Sequence, residues 1–140
     1  MQILVTGGTG FIGQALVPAL AEAGHELLIL SRGHHKDGQG VRYLRDLDDL
    51  PAATPIDAVI NLAGASLAGK RWNDAYKREI LDSRIDTTRA VIELVERLDK
   101  TPGVLLNASA IGYYGASDSS PLDEHAPAGA GFSADLCQQW

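Results

Sequence analysis

The sequence predicts an α/β protein: a parallel, doubly wound sheet with helices on both faces. Two observations predict it. Short apolar runs alternate with stretches of helical apolar spacing along the 140 residues, and the first apolar run ends in glycines that open straight into a helix. "QILVT" (2–6) is a short apolar run ending in glycines and so the first, buried strand. "FIGQALVPALAEA" (11–23) repeats apolar residues at helical spacing and is closed by Gly24, with Pro18 an expected kink. "ELLILS" (26–31) is a second buried strand, "GHHKDGQG" (33–40) a polar loop and "VRYL" (41–44) a short third strand. "DAVINLAG" (57–64) is a fourth. A stretch free of Pro and Gly from about 73 to 100 predicts a long helix, "GVLLNAS" (103–109) a fifth strand, and "FSADLCQQW" (132–140) the start of another helix. Right-handed crossovers between successive strands make the sheet parallel.

The totals bound what such a domain does. A chain of 140 residues fits one domain, and 45% hydrophobic with 21% charged residues is a globular composition. Twelve basic against eighteen acidic residues give a net charge of −6, which disfavours nucleic acid and anionic membranes as partners. No apolar segment approaches the roughly 20 residues that span a bilayer. The single cysteine, Cys137, allows no internal disulfide and leaves no thiolate set for a metal, and His34, His35 and His125 lack ligand spacing. The chain reads as cytoplasmic, with a small molecule as its partner; a homo-oligomer is compatible with the sequence. Trp140 closes the chain inside a helical stretch, so the chain reads as truncated before a C-terminal substrate portion.

The chemistry begins at "TGGTGFIG". Gly7, Gly10 and Gly13 stand between a strand and a helix with G-x-x-G-x-x-G spacing. In a βαβ unit the first glycine permits the turn, the second lets backbone approach a pyrophosphate, and the third allows close helix–strand packing. The helix N-terminus supplies N–H groups and a positive dipole end for phosphate. A Walker-type loop is excluded, because Gln14 and Ala15 stand where Lys-Ser/Thr would. These features predict a Rossmann domain over residues 1–140. At the end of the second strand an Asp or Glu would hold the ribose hydroxyls of NAD. Ser31 and Arg32 stand there instead, and a hydroxyl beside a guanidinium suits a 2′-phosphate, so the sequence favours NADP over NAD.

With "TGGTGFIG", "NLAG" and "SAIGYYG" in this order, the chain resembles the short-chain dehydrogenase/reductase superfamily, within it the extended epimerase/dehydratase branch. "GKRWNDAYKREILDSRIDTTR" and "SAIGYYG" narrow the resemblance to epimerase-family proteins described as NADP-dependent oxidoreductases or nucleoside-diphosphate-sugar epimerases. The resemblance implies dinucleotide contacts from Gly7, Gly10, Phe11, Ile12 and Gly13, and 2′-phosphate contacts from Ser31 and Arg32. It implies that Leu62 and Ala63 lie along the cofactor, that Asn61 and Gly64 shape that strand end, and that Glu79 and Arg84 reach in from the long helix.

In the wider superfamily a Ser or Thr, a Tyr and a Lys four residues after that Tyr move the proton while hydride is exchanged with the nicotinamide; the cation stabilises the phenolate. Ser109 matches the first position. Tyr113 and Tyr114 are followed four residues on by Ser117 and Asp118, and no Lys or Arg occurs from 101 to 140. The usual pair is therefore absent. Three readings compete: Tyr113 or Tyr114 acts with help from Lys70 or Arg71, a residue outside this sequence supplies the role, or the protein is a non-catalytic NADPH-binding regulatory module. Lys70 and Arg71, after the fourth strand, are also the expected clamp for an anionic substrate group, against the simpler reading of solvated loop charges.

Overall fold

A computed structural model describes residues 1–116 and 121–140. They group into two compact units, Met1–Asn107 and Ala108–Trp140. The first unit holds β1 (Gln2–Thr6), α1 (Gly13–Glu22), β2 (Glu26–Leu30), β3 (Val41–Leu44), β4 (Ala58–Asn61), α2 (Asp74–Arg97) and β5 (Val104–Asn107). The five strands form one sheet in the order β3-β2-β1-β4-β5, every neighbouring pair parallel. The Rossmann-type sheet expected from the sequence is present.

Strand periodicity sorts β1 onto two cores. Leu4 packs with Leu28, Val59 and the α2 residues Val91 and Leu94. Its neighbours Ile3 and Val5 turn the other way, with Leu27 and Ile29, against Val17 and Leu20 of α1. Successive side chains of a strand face opposite sides, so a central strand apolar at every position requires a helix on each face.

The helix ends follow local chemistry. Asn73 caps α2 by accepting the Tyr76 N–H at 2.8 Å; Asp74 lies in its first turn and Arg97 in its last, as the helix dipole favours. The Arg97 guanidinium also donates to the carbonyls of Leu47 and Leu50, tying the helix end to the segment after β3. α1 runs through Pro18, which is exposed and has no N–H to give to the helix. Phe11 and Ile12, expected in the helix, form the turn before it. There Gly10 N–H bonds Gly7 O at 2.9 Å and bends the chain.

Among its described residues the second unit holds a 3₁₀ turn (Ile111–Tyr114) and α3 (Phe132–Gln139). Gly112 sits against Ser133, where an added Cβ would come within 2.9 Å of its Cβ. Among the described residues, no helix is long and apolar enough to cross a membrane.

Candidate functional site

At the C-terminal ends of the strands, the chain leaves β1 towards β2 on one side, and β4 continues on the other. Such a reversal opens a crevice between the two crossovers. A cavity of about 540 Å³ lies there, lined by Gly7, Thr9 and Gly10 after β1, Leu30 to Gly33 and His35 after β2, Arg45 after β3, Leu62 to Ala65 after β4, and Ser83 and Thr87 of α2. That is the size of a small-molecule site.

The glycines play three different parts. Gly7 has φ +68°, and a Cβ there would come within 2.7 Å of the Leu62 carbonyl, so the first crossover presses against the end of β4. Gly13 is buried against Gly8, leaving 2.3 Å between an added Cβ and the Gly8 oxygen. Gly10 is exposed on the cavity, and a Cβ would meet only Gly7 O at 3.1 Å. The N-terminus of α1 carries no side-chain cap and no acid in its first turn. Its positive end is thus available to an anion.

The opposite wall is built by a buried polar network. Thr6 Oγ1 donates to Asn61 Oδ1 (2.5 Å) and accepts the Ala63 N–H (3.1 Å), while Asn61 Nδ2 donates to Thr88 Oγ1 (2.9 Å) and Asn107 Oδ1 (2.6 Å). Thr6 and Asn61 are almost wholly buried. Polar groups survive in such a place only when they satisfy one another. Replacing Asn61 by Leu leaves the Thr6 and Thr88 hydroxyls without their partner. The expected loss is about 2 kcal/mol in urea unfolding, and an unchanged midpoint would show that the network contributes nothing.

Helix α2 clamps the next residue of this wall. Ser83 Oγ accepts the Ala65 N–H (2.9 Å), and Arg84 Nη1 donates to Ala65 O (3.1 Å) and Ile80 O (3.0 Å). Arg84 is buried, with its guanidinium against Gly64, where a Cβ would come within 2.6 Å of Cζ. Arg84 thus supports the cavity wall from behind. Glu79 does not line the cavity; it pairs with Lys70 at 3.2 Å, and the Lys70 ammonium also lies over the Tyr76 ring at 5.1 Å. Arg71 forms no ion pair among the described residues. Phe11 and Ile12 are exposed and outside the lining.

At the other end of the cavity Ser31 is buried; its N–H donates to Leu44 O at 2.9 Å and its hydroxyl accepts from Gly33 N–H at 3.3 Å. Arg32 and Arg45 stand on the rim, and among the described residues no acidic residue lines the cavity. Arg45, His35, Ser83 and Thr87 are cavity residues that the sequence reading did not single out. A usable signal existed for Arg45, which directly follows the third strand just as Ser31 and Arg32 follow the second.

Ser109, Tyr113 and Tyr114 belong to the second unit. Ser109 is exposed, two residues past the end of β5 rather than on the strand. The two tyrosine rings meet edge to face at 5.2 Å, and the Tyr114 hydroxyl donates to Asp123 O at 2.9 Å. Ser117 and Asp118, four residues after Tyr113 and Tyr114, lie outside the described residues.

The NAD dependent epimerase/dehydratase family model matches residues 3–132. The chain is 41% identical over 136 residues to the epimerase family protein YfhF of Bacillus subtilis, an alignment covering 89% of this chain and 45% of that protein. Among solved structures it is similar to human epimerase family protein SDR39U1 (isoform 2) with NADPH, at 34% identity and a TM-score of 0.84, covering 100% of this chain and 47% of that one. It is also similar to MoeE5 in complex with UDP-glucuronic acid and NAD, at 25% identity and a TM-score of 0.75, covering 99% and 46%. The chain spans less than half the length of these proteins. The glycine loop, the crevice above it and these similarities agree: the chain belongs to the NAD-dependent epimerase/dehydratase family and carries its NAD(P)-binding fold.

Proposed function

We propose that residues 1–140 act as the NADP(H)-binding domain of an oxidoreductase or epimerase that transfers hydride on a small polar substrate, with nucleotide sugars the favoured class. The observation that carries the cofactor choice is the pairing of Ser31 and Arg32 at the end of β2, on a cavity with no acid lining it among the described residues. A carboxylate there would accept ribose hydroxyls and repel a 2′-phosphate; a guanidinium does the reverse. The NADPH bound to human SDR39U1 supports this choice, and the UDP-glucuronic acid bound to MoeE5 supports the substrate class.

The residues fit the cofactor. Gly10 presents an open backbone face and the α1 N-terminus an uncapped dipole for the pyrophosphate, while Leu62 and Ala63 wall the cavity beyond it. When bound, the nicotinamide accepts or donates the hydride. Ser109 would hold the substrate oxygen, and a tyrosine hydroxyl would exchange its proton. The Tyr114 hydroxyl is engaged by Asp123 O, which makes Tyr113 the stronger of the two for that role. Arg71 is the better candidate for an anionic substrate group, because Lys70 is held by Glu79. A cytoplasmic setting suits the free Cys137.

Arg32→Asp tests the cofactor assignment. Loss of a charge-assisted hydrogen bond of roughly 1.5–3 kcal/mol should raise the NADPH dissociation constant by at least about tenfold in calorimetry. Unchanged affinity would remove the 2′-phosphate assignment. The reaction is tested by following nicotinamide absorbance across a panel of sugar nucleotides and small carbonyls. Tight cofactor binding without turnover or epimerised product on any of them would leave a binding module only.

A further inference from the structure

A second arginine lines the cavity together with Arg32. The parallel pairing of β2 with β3 sets Leu30 against Leu44, so the residues that follow each strand are neighbours: Ser31 and Arg32 on one side, Arg45 on the other. The Ser31 N–H bond to Leu44 O extends this pairing by one step. Arg45 Nη2 then donates to Arg32 O at 3.2 Å and contacts His34 Nε2 at 3.0 Å. Since a guanidinium only donates, His34 accepts at Nε2 and carries its proton on Nδ1.

These partners fix Arg45 without neutralising it. The carbonyl and the neutral imidazole hold one end of the guanidinium, leaving Nη1 and Nε for a ligand. Neither Arg32 nor Arg45 forms an ion pair among the described residues, whereas Lys70, Arg89, Arg97 and Lys100 each have a carboxylate within 4 Å. The neighbouring Asp46 is turned to its own loop, its Oδ1 accepting the Asp48 N–H at 3.0 Å. The segment between the two arginines is also fixed. His35 stacks on Tyr43 with centroids 4.7 Å apart, and Asp37 Oδ1 accepts the Tyr43 N–H at 2.9 Å.

We propose that Arg45 is a specificity-determining residue: with Arg32 it forms a two-arginine fork for the 2′-phosphate of the adenosine ribose, and it sets much of the preference for NADP(H) over NAD(H). The inference rests on the NADP reading above. A phosphate monoester has three outer oxygens and close to two negative charges, more than one guanidinium can satisfy, and arginine matches phosphate geometry through paired N–H groups. An unphosphorylated ribose offers nothing that Arg45 needs to recognise.

The test uses Arg45→Met, which keeps the stem and removes the charge, and Arg45→Lys, which restores it. Dissociation constants are measured for NADPH, NADH, 2′,5′-ADP and 3′,5′-ADP with the wild-type protein, both variants and Arg32→Asp. Because Arg45 is exposed, the folded state should survive, and circular dichroism checks that it does. The expected result is that Arg45→Met weakens NADPH and 2′,5′-ADP about tenfold, the size of one charge-assisted contact, with NADH unchanged and partial recovery in Arg45→Lys. An unaltered NADPH-to-NADH ratio in Arg45→Met overturns the proposal, as does an equal loss for both. If 3′,5′-ADP competes as well as 2′,5′-ADP, the assignment to the 2′ position falls. If Arg32→Asp lowers NADPH affinity selectively while Arg45→Met does not, only the role of Arg45 is lost. A wild-type protein that binds NADPH no better than NADH would overturn the NADP reading itself.

Discussion

Gly10→Leu is expected to abolish dinucleotide binding and to leave the protein nearly as stable as before. Gly10 is exposed on the cavity and lacks a positive φ, so its backbone accepts any L residue without conformational strain. An added Cβ meets only Gly7 O at 3.1 Å, a contact that a shift of a few tenths of an ångström relieves. The rest of a leucine side chain would fill the space through which a pyrophosphate must approach the backbone. The NADPH dissociation constant should rise at least about 100-fold, or roughly 2.8 kcal/mol at 1.4 kcal/mol per decade. Binding retained within tenfold, measured by calorimetry, would mean that this loop does not hold the phosphates.

Gly13→Val should act the other way, through the fold. The Cβ would lie 2.3 Å from Gly8 O and 2.4 Å from Gly8 C, and both are backbone atoms of the loop itself. Gly8 itself has little room on its side-chain face: a Cβ there would sit 2.8 Å from an Ile29 methyl and 3.2 Å from a Val17 methyl. Overpacking of this kind typically costs about 1–3 kcal/mol, and a clash against backbone belongs at the upper end. A drop of about 3 kcal/mol in denaturant unfolding is expected. A variant as stable as the wild type would show that α1 can move away from the loop. Together the two substitutions separate roles that the bare spacing of three glycines leaves merged.

Much of this was legible from residue patterns. Every strand and helix read from the sequence exists, because each apolar run of strand length is short and bounded by glycine or polar residues, and the central strands β1, β2 and β4 are mostly buried whereas β5 is largely exposed. The boundaries moved where hydrogen bonding, not hydrophobicity, decides them. "DAVINLAG" reads as a strand to Gly64, yet β4 stops at Asn61 because β1 ends at Thr6. Beyond that point Leu62 and Ala63 bond to Thr6 O and Oγ1 in place of a strand ladder. Residues of the cavity on one continuous segment, such as Gly7 and Gly10 or Ser31 and Arg32, could be found by spacing. Arg45 could have been found the same way, as the residue that follows β3, but Ser83 and Thr87 could not be, since they reach the cavity only through the docking of α2. Arg84 was singled out in the sequence; its burial and its bonds to Ala65 and Ile80, which support the cavity wall, were not legible there.

The strand order has a consequence in time as well as in space. β1 is the middle of the sheet, but its partner on one side, β4, arrives more than fifty residues later in the chain; Thr6 bonds Asn61 across a separation of 55 residues. During synthesis the β1–β2–β3 half can pair as soon as it emerges, while the other edge of β1 stays bare until Ala58–Asn61 follow. Long-range parallel pairing is slow to form and leaves unpaired edges open to wrong partners. The Thr6–Asn61 bond that shapes the cavity is therefore also among the late contacts of folding. A nascent chain has no complete dinucleotide crevice until β4 and the first half of α2 have been made.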